Sequence, residues 1–100
     1  MPTAIAFNTD LALPASPSPT AVFAGDTLPP DLVVGGIYRF RKAGHRTYRV
    51  DSLVTLLEMR RESVLFSLRA QVRMIEVSYI VDRGRSYTVG QYQVEELLSD

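Results

Sequence analysis

Residues 63–82, read as S-V-L-F-S-L-R-A-Q-V-R-M-I-E-V-S-Y-I-V-D, constrain the fold more than any other stretch. Val64, Phe66, Leu68, Ala70, Val72 and Met74 occupy every second position, and Ser67, Arg69, Gln71 and Arg73 stand between them. Successive side chains leave a strand on opposite faces, so this alternation predicts a half-buried strand. As a helix the same polar residues would be scattered around the axis and leave no polar face. At Met74–Ile75 the phase shifts, and Ile75, Val77, Tyr79 and Val81 become the inward set. Such a slip requires a β-bulge or a tight turn. The stretch therefore predicts two strands, or one long strand that bends.

The flanking sequence adds further strands. Gly35-Gly36 precedes Ile37–Lys42, where Tyr38 and Phe40 alternate with Arg39 and Arg41. After the turn at Ala43-Gly44-His45, Arg46–Val50 places Tyr48 and Val50 inward, and the two segments read as a hairpin. Residues 51–59 fit either a short helix capped by Asp51 or Ser52, or a buried strand. The strand is preferred because it continues from Tyr48 and Val50. Arg60-Arg61-Glu62 reads as a turn, and Arg83-Gly84-Arg85 as a tight hairpin turn. Ser86–Val89 reads as a last strand with Tyr87 and Val89 inward, broken by Gly90. Gln91–Leu98 then reads as a helical turn packed through Val94, Leu97 and Leu98. These elements predict a mainly β fold: a small SH3-like or OB-like barrel of five to six strands over residues 37–100.

Residues 1–36 read as an extended, proline-rich arm. Pro14, Pro17, Pro19, Pro29 and Pro30 oppose a helix or a central strand. Ile5, Phe7, Leu11, Leu13 and Phe23 give the arm apolar contact points, so it is expected to dock on the barrel, a second copy or a partner. Exchange of the arm between copies offers a route to homo-oligomers. The 100 residues make at most one packed domain, and without cysteine neither disulfides nor thiolate metal sites brace it. Residues 1–38 carry no Lys or Arg, so no basic signal-peptide region is visible, and no apolar run is long enough to span a bilayer. A cytoplasmic protein that does not engage membranes is the expectation.

Charge is distributed unevenly. Net charge is zero, yet all eleven basic residues lie between 39 and 85, alongside five acids, for a local balance of +6. Ten of the eleven are arginine, the cation suited to bidentate phosphate or carboxylate contacts. By strand parity Arg39, Arg41, Arg49, Arg69 and Arg73 point outward, and turns add Arg60, Arg61, Arg83 and Arg85. Together they predict an arginine-rich sheet face.

Nothing in the sequence has the pattern of an active site. The single histidine, His45, stands in a glycine turn, and no serine lies in a nucleophile elbow. Neither phosphate-cradling glycine loops nor metal-ligand spacings occur, and no cofactor is implied. The expectation is a non-enzymatic binding module. Its leading partner is a nucleic-acid backbone, duplex or structured RNA, met with little sequence specificity because most aromatics face inward. The rival reading is a protein-interaction module, a small inhibitor or an assembly subunit, docking on an acidic protein surface with the arm adding a strand or mediating oligomerisation.

Overall fold

The computed structural model describes residues 9–14, 25, 27–59 and 66–99. Its strands are β1 (Asp10–Pro14), β2 (Ile37–Ala43), β3 (Leu53–Met59), β4 (Phe66–Asp82) and β5 (Arg85–Leu97). They form one mixed sheet in the order β1-β3-β4-β5-β2. β1 runs parallel to β3, and the other neighbours are antiparallel. The β-rich reading holds, and of residues 51–59, Leu53–Met59 form strand β3 while Asp51 lies in a turn that separates it from Tyr48 and Val50.

One face of the sheet carries the core. Leu11 and Leu13 of β1, Val54 and Leu56 of β3, and Ala70, Val72 and Met74 of β4 are all at most 1% exposed. Phe40, Tyr92 and Val94 continue the layer, with Leu28 and Tyr48 packed from the connections. Fully burying a leucine stabilises by roughly 2–3 kcal/mol relative to leaving it exposed, so the β1 leucines are part of the fold. Phe40 sits edge-on to Tyr48, with ring centroids 5.6 Å apart, and tilted against Tyr92 at 6.3 Å.

The sheet curls but does not close as a barrel. No ladder joins β1 to β2. Instead Lys42 Nζ donates to the Ala12 carbonyl across the gap, Tyr48 Oη donates to the Asp10 carbonyl, and Gly25 and Leu28 bridge the edges. The Leu28 N–H donates to Pro14 O, and the Arg41 N–H to Gly25 O. Lys42 lies on the inner side, and burial pulls its amine below the ordinary lysine range, helped by nearby Arg46 and opposed by Asp10. Its hydrogen bond to a main-chain carbonyl is what makes a lysine tolerable there.

Several local expectations change. Residues 45–49 form no strand; β2 pairs with β5, and Val50 is exposed. The C-terminal helical turn is absent, because Gln91–Leu97 continues β5 along β4 and no helix forms among the described residues. Gly90 does not break that strand. A Cβ there would overlap the Glu76 carbonyl and press on Phe40 Cε1 at 3.0 Å, so glycine permits close backbone approach. The tight turn at Arg83-Gly84-Arg85 is present, with φ of 51° at Arg83 and 77° at Gly84, the primed geometry that suits a two-residue hairpin.

Of the two alternatives, one long strand is found, with its irregularity at Ile75, which is exposed rather than inward. Register jumps between Met74 and Glu76, so Ile75 is the extra residue of a bulge. Beyond it Val77, Tyr79 and Val81 do share the inner side, but only Val77 packs on the core. Tyr79 and Val81 stay exposed because the β4–β5 hairpin outruns the core. A second bulge was not anticipated. Leu56 pairs with Ala70 and Leu57 with Leu68, leaving Arg69 over. Ser67 therefore turns inward, while Phe66 and Leu68 face solvent. Val64 and the Arg60-Arg61-Glu62 turn lie outside the described residues.

Candidate binding surface

The strand register sorts the outer face into rows. A central row crosses the sheet through Leu53, Arg73, Gln93 and Ile37. On one side come Thr55–Gln71–Glu96, then Leu57–Leu68, then Met59–Phe66. The Gln71 amide donates to Thr55 Oγ1 at 3.2 Å, as neighbours on one face should. On the other side come Glu76–Gln91–Arg39, then Ser78–Val89–Arg41, then Ile80–Tyr87–Ala43, then Asp82–Arg85.

The predicted arginines do not form one platform. Arg73 stands in the central row, held by Glu95 at 2.9 Å and Asp51 at 3.3 Å. The hydrogen bond to Glu95, with help from Asp51, raises its pKa above the usual guanidinium value. Arg69, the bulged residue, turns to the inner rim and pairs with Glu58 at 2.8 Å. That pair lines a cleft of about 300 Å³ with Leu28, Pro29, Pro30, Leu32, Leu97 and Leu98. Arg49 is exposed in the β2–β3 connection beside Asp51. Arg60 and Arg61 lie outside the described residues.

The remaining four lie on the side of the central row that leads to the β4–β5 turn. Arg39 and Arg41 project from β2, and Arg83 and Arg85 flank Gly84. The Arg41 guanidinium lies 3.8 Å from the centre of the Tyr87 ring, a cation–π contact. Tyr87 was expected inward; Thr88 and Gly90 take the inner positions instead, which turns Tyr87 and Val89 out. Thr88 is buried because its hydroxyl has two partners, donating to Gly44 O and accepting from the Arg46 N–H.

Of the arm residues, Leu11 and Leu13 are buried in the chain's own core. Ile5, Phe7 and Phe23 lie outside the described residues. His45 stacks on Tyr79 at 4.0 Å, and the Tyr79 hydroxyl donates to Arg46 O, which braces the hairpin. Among the described residues no three His, Asp or Glu side chains converge on one point. No described helix is long and apolar enough to cross a membrane.

Parity reasoning missed the apolar content of the outer face. Leu53 and Phe66 are 53% and 52% exposed, and Ile37 is 57% exposed. The alternation Phe66, Leu68, Ala70 contains no mark of the bulge that divides it, so the sequence offered no signal. No known protein family, characterised protein or solved structure matches this chain.

Proposed function

We propose that the chain is a non-enzymatic binding module that docks on protein through the outer face of its sheet. The observation that supports this reading is the mixture on that face. Exposed Leu53, Ile37, Met59 and Phe66 are interleaved with glutamines and ion-paired arginines. Large exposed apolar side chains set among polar ones give a protein partner surface to bury that a merely solvated sheet would not carry. A phosphate backbone offers such side chains nothing to bury against.

The test is photocrosslinking in the cells that make the protein. A benzophenone amino acid replaces Phe66 in one version and Ser86, at the hairpin, in another. The expected product is a protease-sensitive adduct from position 66 that is weak or absent from position 86. No adduct at 66 would remove the reading.

A nucleic-acid backbone is the second reading, supported by Arg41, Arg83 and Arg85 beside Tyr87, with Arg39 further along β2. It has four cations to work with, opposed by Glu76 and Asp82. If about four phosphates are neutralised, affinity for duplex DNA or RNA falls by roughly two decades between 50 and 200 mM salt. A nuclease-sensitive adduct from position 86 would favour it.

A further inference from the structure

The bulge at Arg69 delivers a guanidinium to an otherwise apolar corner of the inner rim. Arg69 and Glu58 meet there at 2.8 Å, and the rest of the cleft is Leu28, Pro29, Pro30, Leu32, Leu97 and Leu98. Main-chain hydrogen bonds fix both walls. The Leu28 N–H donates to Pro14 O, and the Leu98 N–H donates to Arg69 O, each at 2.8 Å. The space of about 300 Å³ is therefore formed before any ligand arrives. It stands at the small end of the range in which small molecules bind, roughly 300–1,000 Å³.

The ion pair in this corner has capacity to spare. Among the described residues, Arg69 spends one N–H, from Nη2, on one oxygen of Glu58, Oε1. A guanidinium has five N–H donors, and a carboxylate has room for about four contacts. The Glu58 side chain is 14% exposed, so water meets little of that remaining demand, while Arg69 at 44% is accessible. These two are the charged residues that line the cleft. A lone anion is drawn to Arg69 but repelled by Glu58 beside it, and a lone cation meets the reverse. A ligand that carries both charges side by side is attracted by each.

We propose that this cleft binds a free α-amino acid with an apolar side chain. In such a molecule the ammonium and the carboxylate hang on one carbon, close enough to lie against a pair whose own atoms are 2.8 Å apart. The carboxylate takes N–H groups of Arg69 that Glu58 does not use, and the ammonium donates to Glu58 Oε2. The side chain packs on Leu32, Leu97 and the two prolines, and Leu97, 48% exposed, gains cover. A residue within a peptide has amides where the free molecule has charges, so it loses the recognition at both ends. The cleft lies on the inner rim, apart from the outer face offered to protein, and the proposal does not depend on that docking reading.

The test is titration of the isotopically labelled chain with L-leucine, followed by NMR. Amide shifts at Leu32, Arg69 and Leu98 are expected to saturate with a Kd of about 1 mM, an affinity open to a ligand of so few atoms. N-acetyl-L-leucine keeps only the carboxylate and L-leucinamide only the ammonium, and each is expected to bind about tenfold more weakly. Glycine keeps both charges without the apolar group, and a similar loss is expected. These comparisons use the unaltered chain, so they hold whatever a substitution does to the fold. Arg69→Gln and Glu58→Gln, with folding checked by melting temperature, are each expected to weaken L-leucine to the level of the single-charge analogues. Absence of saturation by L-leucine far above that Kd overturns the proposal. So does equal binding of either single-charge analogue, or a set of shifts confined to the outer face.

Discussion

At the residue scale, two tyrosines show how the core handles hydroxyl groups. Tyr92 is fully buried and its Oη has no hydrogen-bond partner among the described residues. Burial, with a smaller contribution from Tyr38, raises its pKa. Tyr92→Phe should leave stability unchanged or raise it by about 1 kcal/mol, measured by urea denaturation, because an unpaired buried hydroxyl costs more than it returns. Tyr48 is the contrasting case. Its hydroxyl donates to Asp10 O at 2.8 Å and so ties the connection to β1. Tyr48→Phe should cost about 1 kcal/mol near neutral pH. Burial pushes the Tyr48 pKa up to about 12, against an ordinary value of 10. An unfolded tyrosine releases its proton first, so the stabilisation this shift represents is complete below pH 10 and is lost as pH rises toward 12. The Tyr48→Phe variant should therefore lose less stability across that interval than the parent chain. Lys42 acts with the opposite sign. Its amine is depressed, so the unfolded chain holds the extra proton, and its contribution becomes more favourable as pH rises toward the ordinary lysine value.

At the element scale, β4 carries the organisation of the sheet, pairing with β3 along its first half and with β5 along most of its length. The pairing with β5 depends on Gly90, where a side chain would collide with the Glu76 carbonyl. Gly90→Ala should destabilise by roughly 3 kcal/mol, visible as a lower melting temperature, since the obstruction is backbone and cannot swing aside. Elements of this kind were partly legible in the sequence. The inner positions Ala70, Val72 and Met74 and the bulge at Ile75 follow from hydrophobic spacing, because a change of phase in an apolar pattern leaves a trace. The bulge at Arg69 leaves none: a leucine and a phenylalanine are moved to solvent while the written alternation runs on undisturbed. Gly90 misled for a related reason, since a glycine that ends a strand and one that lets two backbones approach look the same in one dimension. Gln91–Leu98 likewise read as a helical turn because Gly90 looked like a strand end and Val94, Leu97 and Leu98 have helical spacing, although Gln91 to Glu95 alternate as a strand does. Its strand state comes from pairing with β4, a tertiary contact that local propensity does not contain.

At the scale of the whole molecule, the boundary between arm and body shifts in meaning. The arginine face anticipated from parity depends on strands lying where a closed barrel would place them. The open order of the sheet, and the bulge at Arg69, instead divide the cations between the inner rim, the central row and the hairpin. The leucine pair of the supposed arm completes the core. Leu13→Ala should cost about 3 kcal/mol, as for a leucine removed from any packed interior, in a denaturant titration. If β1 were exchanged between copies, that loss would vary with protein concentration; docked on its own chain, it should not.

That parallel edge also sets an order of events during synthesis. The segment Asp10–Pro14 is made early, yet the strand that receives it, Leu53–Met59, needs Phe66–Asp82 beside it before it can offer a fixed edge. Closing so long a loop is entropically unfavourable until the antiparallel ribbon already exists. The first described strand thus waits until β3 and β4 have paired, and until then Leu11 and Leu13 have nowhere dry to go.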